Sequence, residues 1–274
     1  VSSETGGPLY FVGTPMGSSE YRSFQLSLAR RVRRGIGVRI SYNLSRAAGN
    51  SETGFEETWD ESAGIQDIYD LTRSVGTVLS YDQTHVIKGY ISLHSPFGHG
   101  RTFLKNSIPL LEALLGGWEI SAVFRYNSGN PLGIIPDVWY PGWEGAVYAD
   151  FDPDADLRRQ FESLRFNPGV QNDPGNLYFN PAAFSNPKDH KLGNGKRLYS
   201  GLRGFGYAGE DLALLKNFRF GDGATVQVRA EFINLFNRHY FADPNTRLGS
   251  EAFGHVTSVI GAPRNVQVGM RISW

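Results

Sequence analysis

The most regular stretch of the chain is its last. Over 265–274, Val266, Val268, Met270, Ile272 and Trp274 fall on one face of an extended strand, and Asn265, Gln267, Gly269, Arg271 and Ser273 fall on the other. The same period of two recurs upstream. Val38, Ile40, Tyr42 and Leu44 alternate with Arg39, Ser41, Asn43 and Ser45. Trp118, Ile120, Ala122, Phe124 and Tyr126 alternate with Glu119, Ser121, Val123, Arg125 and Asn127. Val226, Val228, Ala230 and Phe232 stand against Gln227, Arg229 and Glu231, while Leu212, Leu214, Phe218 and Phe220 form a row that Lys216 interrupts. Two less regular segments complete a set of seven predicted strands at about 19–32, 36–45, 77–93, 117–128, 210–220, 224–236 and 264–274.

The connections between these strands are unequal. Arg33-Arg34-Gly35 and Gly221-Asp222-Gly223 read as tight hairpin turns. The connections over 46–76, 129–209 and 237–263 are long. Counting strand parity back from Trp274 puts the three long connections at one end of the sheet and both tight turns at the other. A medium connection with a predicted helical turn at 109–115 shares the short-turn end. A soluble sheet resting on a core also alternates, but it has no reason to sort its connections by end. Nor does any segment with a period of 3.6 offer to cover the apolar faces. Short turns at one end and long loops at the other are the topology of an outer-membrane barrel. The expected fold is therefore all-β, an antiparallel transmembrane β-barrel in contact with outer-membrane lipid. Arg39, Arg125, Arg229, Glu231 and Arg271 should face its lumen, because an arginine turned toward lipid costs about 2–4 kcal/mol at the midplane. Tyr42, Trp118, Tyr126 and Trp274, near strand ends, suit an interfacial girdle.

Composition narrows the chemistry. The chain has 27 Lys and Arg against 27 Asp and Glu, so no net field draws it toward nucleic acid. It has no cysteine, which removes disulfides, thiolate metal sites and a cysteine nucleophile. No run approaches the roughly 18 apolar residues of a membrane-spanning helix. The start, Val1-Ser2-Ser3-Glu4, lacks an initiator Met and the basic and apolar regions of a signal peptide. It reads as a processed terminus or as part of a longer protein.

His85, His94, His99, His190, His239 and His255 are scattered, and no nucleophile elbow accompanies them. Gly201-Leu202-Arg203-Gly204-Phe205-Gly206 lacks the lysine and strand–helix setting of a phosphate loop. No enzyme activity is expected. Asp152, Asp154 and Asp156 space oxygen ligands suitably for Ca²⁺, yet Leu157 and Ser163 stand where a calcium-binding EF-hand loop needs Gly and Glu. A solvated acidic loop is the competing reading, and no other cofactor is expected. Trp139, Tyr140, Trp143 and Tyr148 crowd the same long loop. They would either pack the loop against itself or contact a ligand, and binding residues concentrate on loops carried by a rigid scaffold.

Five segments occur in a recognisable order: Gly117-Trp118-Glu119-Ile120-Ser121, Tyr126-Asn127-Ser128-Gly129-Asn130-Pro131-Leu132, Phe179-Asn180-Pro181-Ala182-Ala183-Phe184, Arg229-Ala230-Glu231-Phe232-Ile233-Asn234-Leu235-Phe236-Asn237 and Phe253-Gly254-His255-Val256-Thr257-Ser258. Together they resemble TonB-dependent outer-membrane receptors, most closely the Oar-like subgroup with an N-terminal carboxypeptidase-regulatory-like domain. The resemblance implies the C-terminal portion of a barrel of about 22 strands, whose plug and N-terminal domains lie outside this chain. It also implies energy from the TonB–ExbB–ExbD complex and, unless more of the protein's own chain completes the barrel, other chains to do so. The last strand (Val266, Val268, Met270, Ile272, Trp274) would carry the signal for the barrel-assembly machinery, although the family usually ends in Phe. Function would be uptake of a siderophore, glycan or peptide. The alternative is a structural or adhesive role in an outer-membrane assembly.

Overall fold

The computed structural model describes residues 17–33, 35–50, 65–67, 69–71, 76–97, 103, 109–140, 146–157, 160–188, 190–220 and 223–274. Arg34, Gly221, Asp222, His99 and Trp143 lie outside this set. Among the described residues seven long strands form one sheet: β1 (Ser19–Arg33), β2 (Ile36–Gly49), β3 (His85–His94), β4 (Trp118–Asn127), β5 (Tyr207–Phe220), β6 (Ala224–Ile233) and β7 (Asn265–Ser273). They lie in sequence order, each antiparallel to the next, so among the described residues β1 and β7 each have one paired edge and one open edge.

Register converts the alternation into two chemically different faces. Val38, Ile91, Ala122, Leu212, Phe232 and Val266 stand in one cross-strand row, and Ile36, Leu93, Ile120, Leu214, Ala230 and Val268 in another. One residue along, Gly37, Ser92, Ser121, Ala213, Glu231 and Gln267 form the corresponding row of the opposite face. A slip of one residue anywhere would exchange these faces, so the pattern fixes the pairing.

The apolar face is bare. Leu28 is 61% exposed, Val268 75% and Met270 68%. In water such an expanse would be an aggregation surface, whereas in hydrocarbon it needs no cover. Its height fits that medium. On β1 the outward apolar side chains Phe24, Leu26 and Leu28 lie between Arg22 and Arg30. That interval is about 26 Å along a strand and about 20 Å of depth at a barrel tilt near 40°. Long guanidinium arms reach out of a band of that size.

Four strand boundaries differ from the expected ones by more than one residue. The predicted strand over 77–93 is interrupted: Thr77 and Val78 pair with Gly49 and Ala48, the chain turns at Leu79–Asp82, and β3 begins at His85. The Asp82 carboxylate drives this turn by accepting the Ala47 N–H at 2.6 Å. β2 accordingly runs on to Gly49, and β5 begins at Tyr207, opposite Asn127. β6 stops at Ile233 because Asn234 and Asn237 adopt left-handed backbone conformations (φ 56° and 50°), which asparagine tolerates best among residues with a Cβ. The Asn234 side chain then ties the turn to the carbonyls of Arg238 and Ala262.

The hydrophobic core is not in the sheet. Leu132, Ile134, Ala149, Phe161, Tyr178, Phe179, Ala183, Phe184, Tyr199, Leu202, Leu248 and Val256 form it, all from connections at the long-loop end. One molecule thus has a sheet that faces outward and a separate packed cap at one end.

Ile91 on β3 sits within the apolar face and Ser92 on the polar one. Ile91→Arg should cost about 2–4 kcal/mol in a bilayer, read as a lower urea midpoint and loss of the heat-modifiable folded band. Ser92→Arg should leave both unchanged.

Candidate functional site

The cap grows from sequence motifs that place aromatic rings. In Phe179-Asn180-Pro181-Ala182-Ala183-Phe184 the Asn180 side chain accepts the Ala182 N–H at 3.1 Å, and Pro181 starts a 3₁₀ turn. That turn brings Phe179 and Phe184 edge to face, 5.8 Å apart. In Phe253-Gly254-His255 the glycine holds φ 79°, and its carbonyl accepts the Tyr178 N–H at 2.8 Å. Phe253 then meets Phe179 edge-on at 5.4 Å. Gly129, in the 126–132 motif, approaches the Gly204 carbonyl so closely that a Cβ would lie 2.0 Å from its oxygen. Offset and edge-on rings of this kind add about 0.5–1.5 kcal/mol per pair beyond area burial. Burial pushes the Tyr199 phenol, inside this core, up to about 12.

Polar contacts join the connections to one another. Gln66, fully buried, accepts the Tyr148 N–H at 2.6 Å and donates to the Gly193 carbonyl at 2.9 Å. Arg203 reaches the Asp82 carboxylate at 2.5 Å and also bonds the Asp82 and Gly129 carbonyls. Asp82 is only 1% exposed at its side chain. This ion pair therefore links the turn before β3 to the long connection between β4 and β5. On the cap's flank lies a cleft of about 550 Å³ lined by Phe161, Glu162, Ser163, Leu164, Phe205, Gly206 and Phe241.

Below the cap, the polar face carries Arg39, Lys88, Arg125, Arg229, Glu231 and Arg271. Arg229 is paired with Glu231, and Arg271 stands opposite Gln227. The other three cations form a group: Lys88 is directly opposite Arg125, and Arg39 lies diagonally from Lys88. Arg125 donates to Asn127 at 3.2 Å, and none of the three is ion-paired among the described residues. Like charges directly opposite on a sheet are destabilising, so this wall carries an electrostatic cost.

The five expected lumen residues share the polar face. Of the loop aromatics, Tyr148 is buried, and the Tyr140 hydroxyl donates to the carbonyls of Lys188 and Lys191. Trp139 is 72% exposed whereas Tyr148 is buried, so the loop aromatics do not all share one exposed surface. The Asp150 carboxylate accepts the N–H of the distant Asn194, and the Asp152 carboxylate accepts the Asp154 N–H within a turn. Among the described residues no three His, Asp or Glu side chains gather as a metal-ligand group, Asp156 included. Val266, Val268, Met270 and Ile272 project from the apolar face of β7, with Trp274 exposed beyond it.

Lys88 and the Asp82–Arg203 pair had escaped sequence reasoning. Lys88 was legible in principle, since Ile87, Gly89, Ile91 and Leu93 alternate with Val86, Lys88, Tyr90 and Ser92. The ion pair spans residues far apart in the chain and leaves no local signature.

Asp82→Ala removes one partner of a buried pair and should destabilise the cap by about 3–5 kcal/mol. Proteolysis and hydrogen exchange across 128–206 should report the loosening, while the heat-modifiable band of the sheet persists. A pH effect is also expected. The Gly175 N–H and the Asn167 amide hold the Asp173 carboxyl below its ordinary value of 3.8. Its contribution is complete above that value and disappears as pH falls through the lower folded-state pKa. The Gly175 amide should therefore exchange faster only in strongly acidic solution, and Asp173→Ala should abolish the dependence.

No curated protein matches the chain. The family model described as an outer membrane beta barrel domain matches residues 12–267. That span contains all of the long-loop cap and nearly all of the seven-strand sheet, whose bare apolar face needs a hydrocarbon surrounding. The chain is an outer-membrane protein and belongs to the outer-membrane β-barrel domain family.

Proposed function

We propose that the chain is the C-terminal barrel portion of a TonB-dependent receptor of the Oar-like kind, which imports a scarce solute carrying carboxylate or phosphate groups. The observation that supports this reading is the group Arg39, Lys88 and Arg125 on the polar wall, which has no ion-pair partner among the described residues. A wall with no role beyond support gains nothing from like charges set opposite one another, whereas an anion passing between them removes the repulsion and accepts charge-assisted bonds. Siderophores, acidic glycans and acidic peptides all offer such groups. Trp139 on the cap supplies an exposed ring for first contact.

The open edges of β1 and β7 extend the reading. Lipid does not tolerate unpaired strand edges, so further strands would complete a barrel of about 22, around a plug and a segment that engages TonB–ExbB–ExbD. No catalytic step and no cofactor is assigned. A structural or adhesive role is the second reading, and the self-contained aromatic core of the cap favours it, since a rigid cap suits a docking partner as well as a solute.

The test is accumulation of a panel of ferric chelates, acidic oligosaccharides and acidic peptides, measured by mass spectrometry in cells with and without TonB. At least one compound should accumulate only in the energised cells. Its capture should weaken by about tenfold in Lys88→Gln and again in Arg125→Gln, for about 1.4 kcal/mol per lost contact. Identical accumulation in both strains would transfer the assignment to the structural role.

A further inference from the structure

We propose that the helix Pro109–Leu115 is a lipid anchor, lying in the plane of the membrane at the short-turn end with its leucines in the periplasmic leaflet. At roughly 100° per residue, Leu110, Leu114, Leu111 and Leu115 form one stripe about 140° wide. Nothing among the described residues covers the stripe: Leu110 is 67% exposed and Leu114 59%. Phe97 and Phe103, in the same connection, are also exposed and pack ring to ring at 5.9 Å.

The attachments of the helix place it on the lipid side. Trp118 and Lys216 both belong to the apolar face, where they stand opposite each other on β4 and β5. The Trp118 indole N–H donates to the Leu114 carbonyl at 2.8 Å, and the Lys216 ammonium donates to the Gly116 carbonyl. The Ser95 hydroxyl donates to the Leu115 carbonyl at 2.7 Å. Carbonyls at a helix C-terminus have no partner within the helix and must find one before they can enter a dry medium. Here two of the donors come from the lipid-facing side of the sheet, and the third precedes β4 in the same connection. The same geometry accounts for Lys216, which interrupts the apolar row. Its ammonium lies about 5 Å from the Trp118 and Phe218 ring centres and is spent on the end of the helix.

The occupant of the leucine stripe follows from continuity. The stripe joins, through Trp118, a face whose surrounding is already hydrocarbon. Its depth also suits an interfacial helix, which sinks its apolar side about 5–10 Å into the headgroup boundary. A folded domain docked from the periplasm is the competing occupant.

The absence of cysteine from the chain makes a clean test possible. Leu114→Cys and, separately, Leu110→Cys are introduced into the whole protein, labelled with an environment-sensitive nitrobenzoxadiazole probe and reconstituted into phosphatidylcholine vesicles. Ser163→Cys on the cap serves as the aqueous control. Both helix probes should emit to the blue of the control, be quenched by lipids brominated high on the acyl chain, and resist iodide. Emission like that of the control, with full quenching by iodide, would overturn the proposal. Protection from iodide and from brominated lipid together would overturn it in favour of a protein cover.

Discussion

A strand that crosses hydrocarbon must place every backbone N–H and C=O on a neighbouring strand, because the medium offers no other partner. That lateral bonding leaves the side chains to alternate between two surroundings, and the rest of the molecule follows from it. The seven-strand meander keeps each strand beside its neighbour in sequence. Its cross-strand rows are mainly apolar at one parity and mainly polar or small at the other, with Lys216 and Glu210 the charged exceptions on the first and Tyr90, Val123 and Leu215 among the larger apolar ones on the second. The hydrophobic effect does not hold these strands to a core, since their apolar side chains remain on the outside. What holds them is the ladder itself, in a medium where breaking a bond exposes a bare polar group.

The cap obeys the other solvent. Its residues face water, so it stabilises itself as a small soluble domain would, by burying rings. Phe161, Phe179, Phe184, Phe205, Phe241 and Phe253 pack there mainly edge to face, without any long strand or helix to arrange them. Short Asn–Pro and Asp–Pro turns do the arranging. One chain therefore carries two stability mechanisms, divided at the rim where Tyr126 and Arg238 meet the Glu210 carboxylate at 2.6 and 2.8 Å.

This division explains what could be read in the sequence. Where the medium imposes a period of two, as in β2, β4, β6 and β7, both the strand and its lipid face were legible, and parity then sorted the connections by end. The segment over 77–93 misled because two alternations there are offset by the turn that Asp82 makes, and Lys88 was hidden with it. The end of β6 was misplaced because a run of apolar residues, Ile233, Leu235 and Phe236, continues past the asparagine that turns the chain. Within the long loops no period exists to read. Tyr148 is interior because Gln66, from another connection, holds its backbone N–H, while Trp139 is exposed, and nothing local in their composition distinguishes the two.

Charge placement completes the argument, since a membrane protein cannot scatter charges as a soluble one does. On the apolar face Lys216 is folded onto a helix end, and Glu210 is held by Arg238 and Tyr126 at the rim. In the cap Asp82 is closed by Arg203. Each of these charges has a local task and a local partner. Among the described residues Arg39, Lys88 and Arg125 have no such ionic partner, although acidic residues are as numerous in the chain as basic ones. These three therefore stand as a cationic group on the wall below the cap. Like charges set opposite one another repel, so the wall is left with a cost that a counter-charge would relieve.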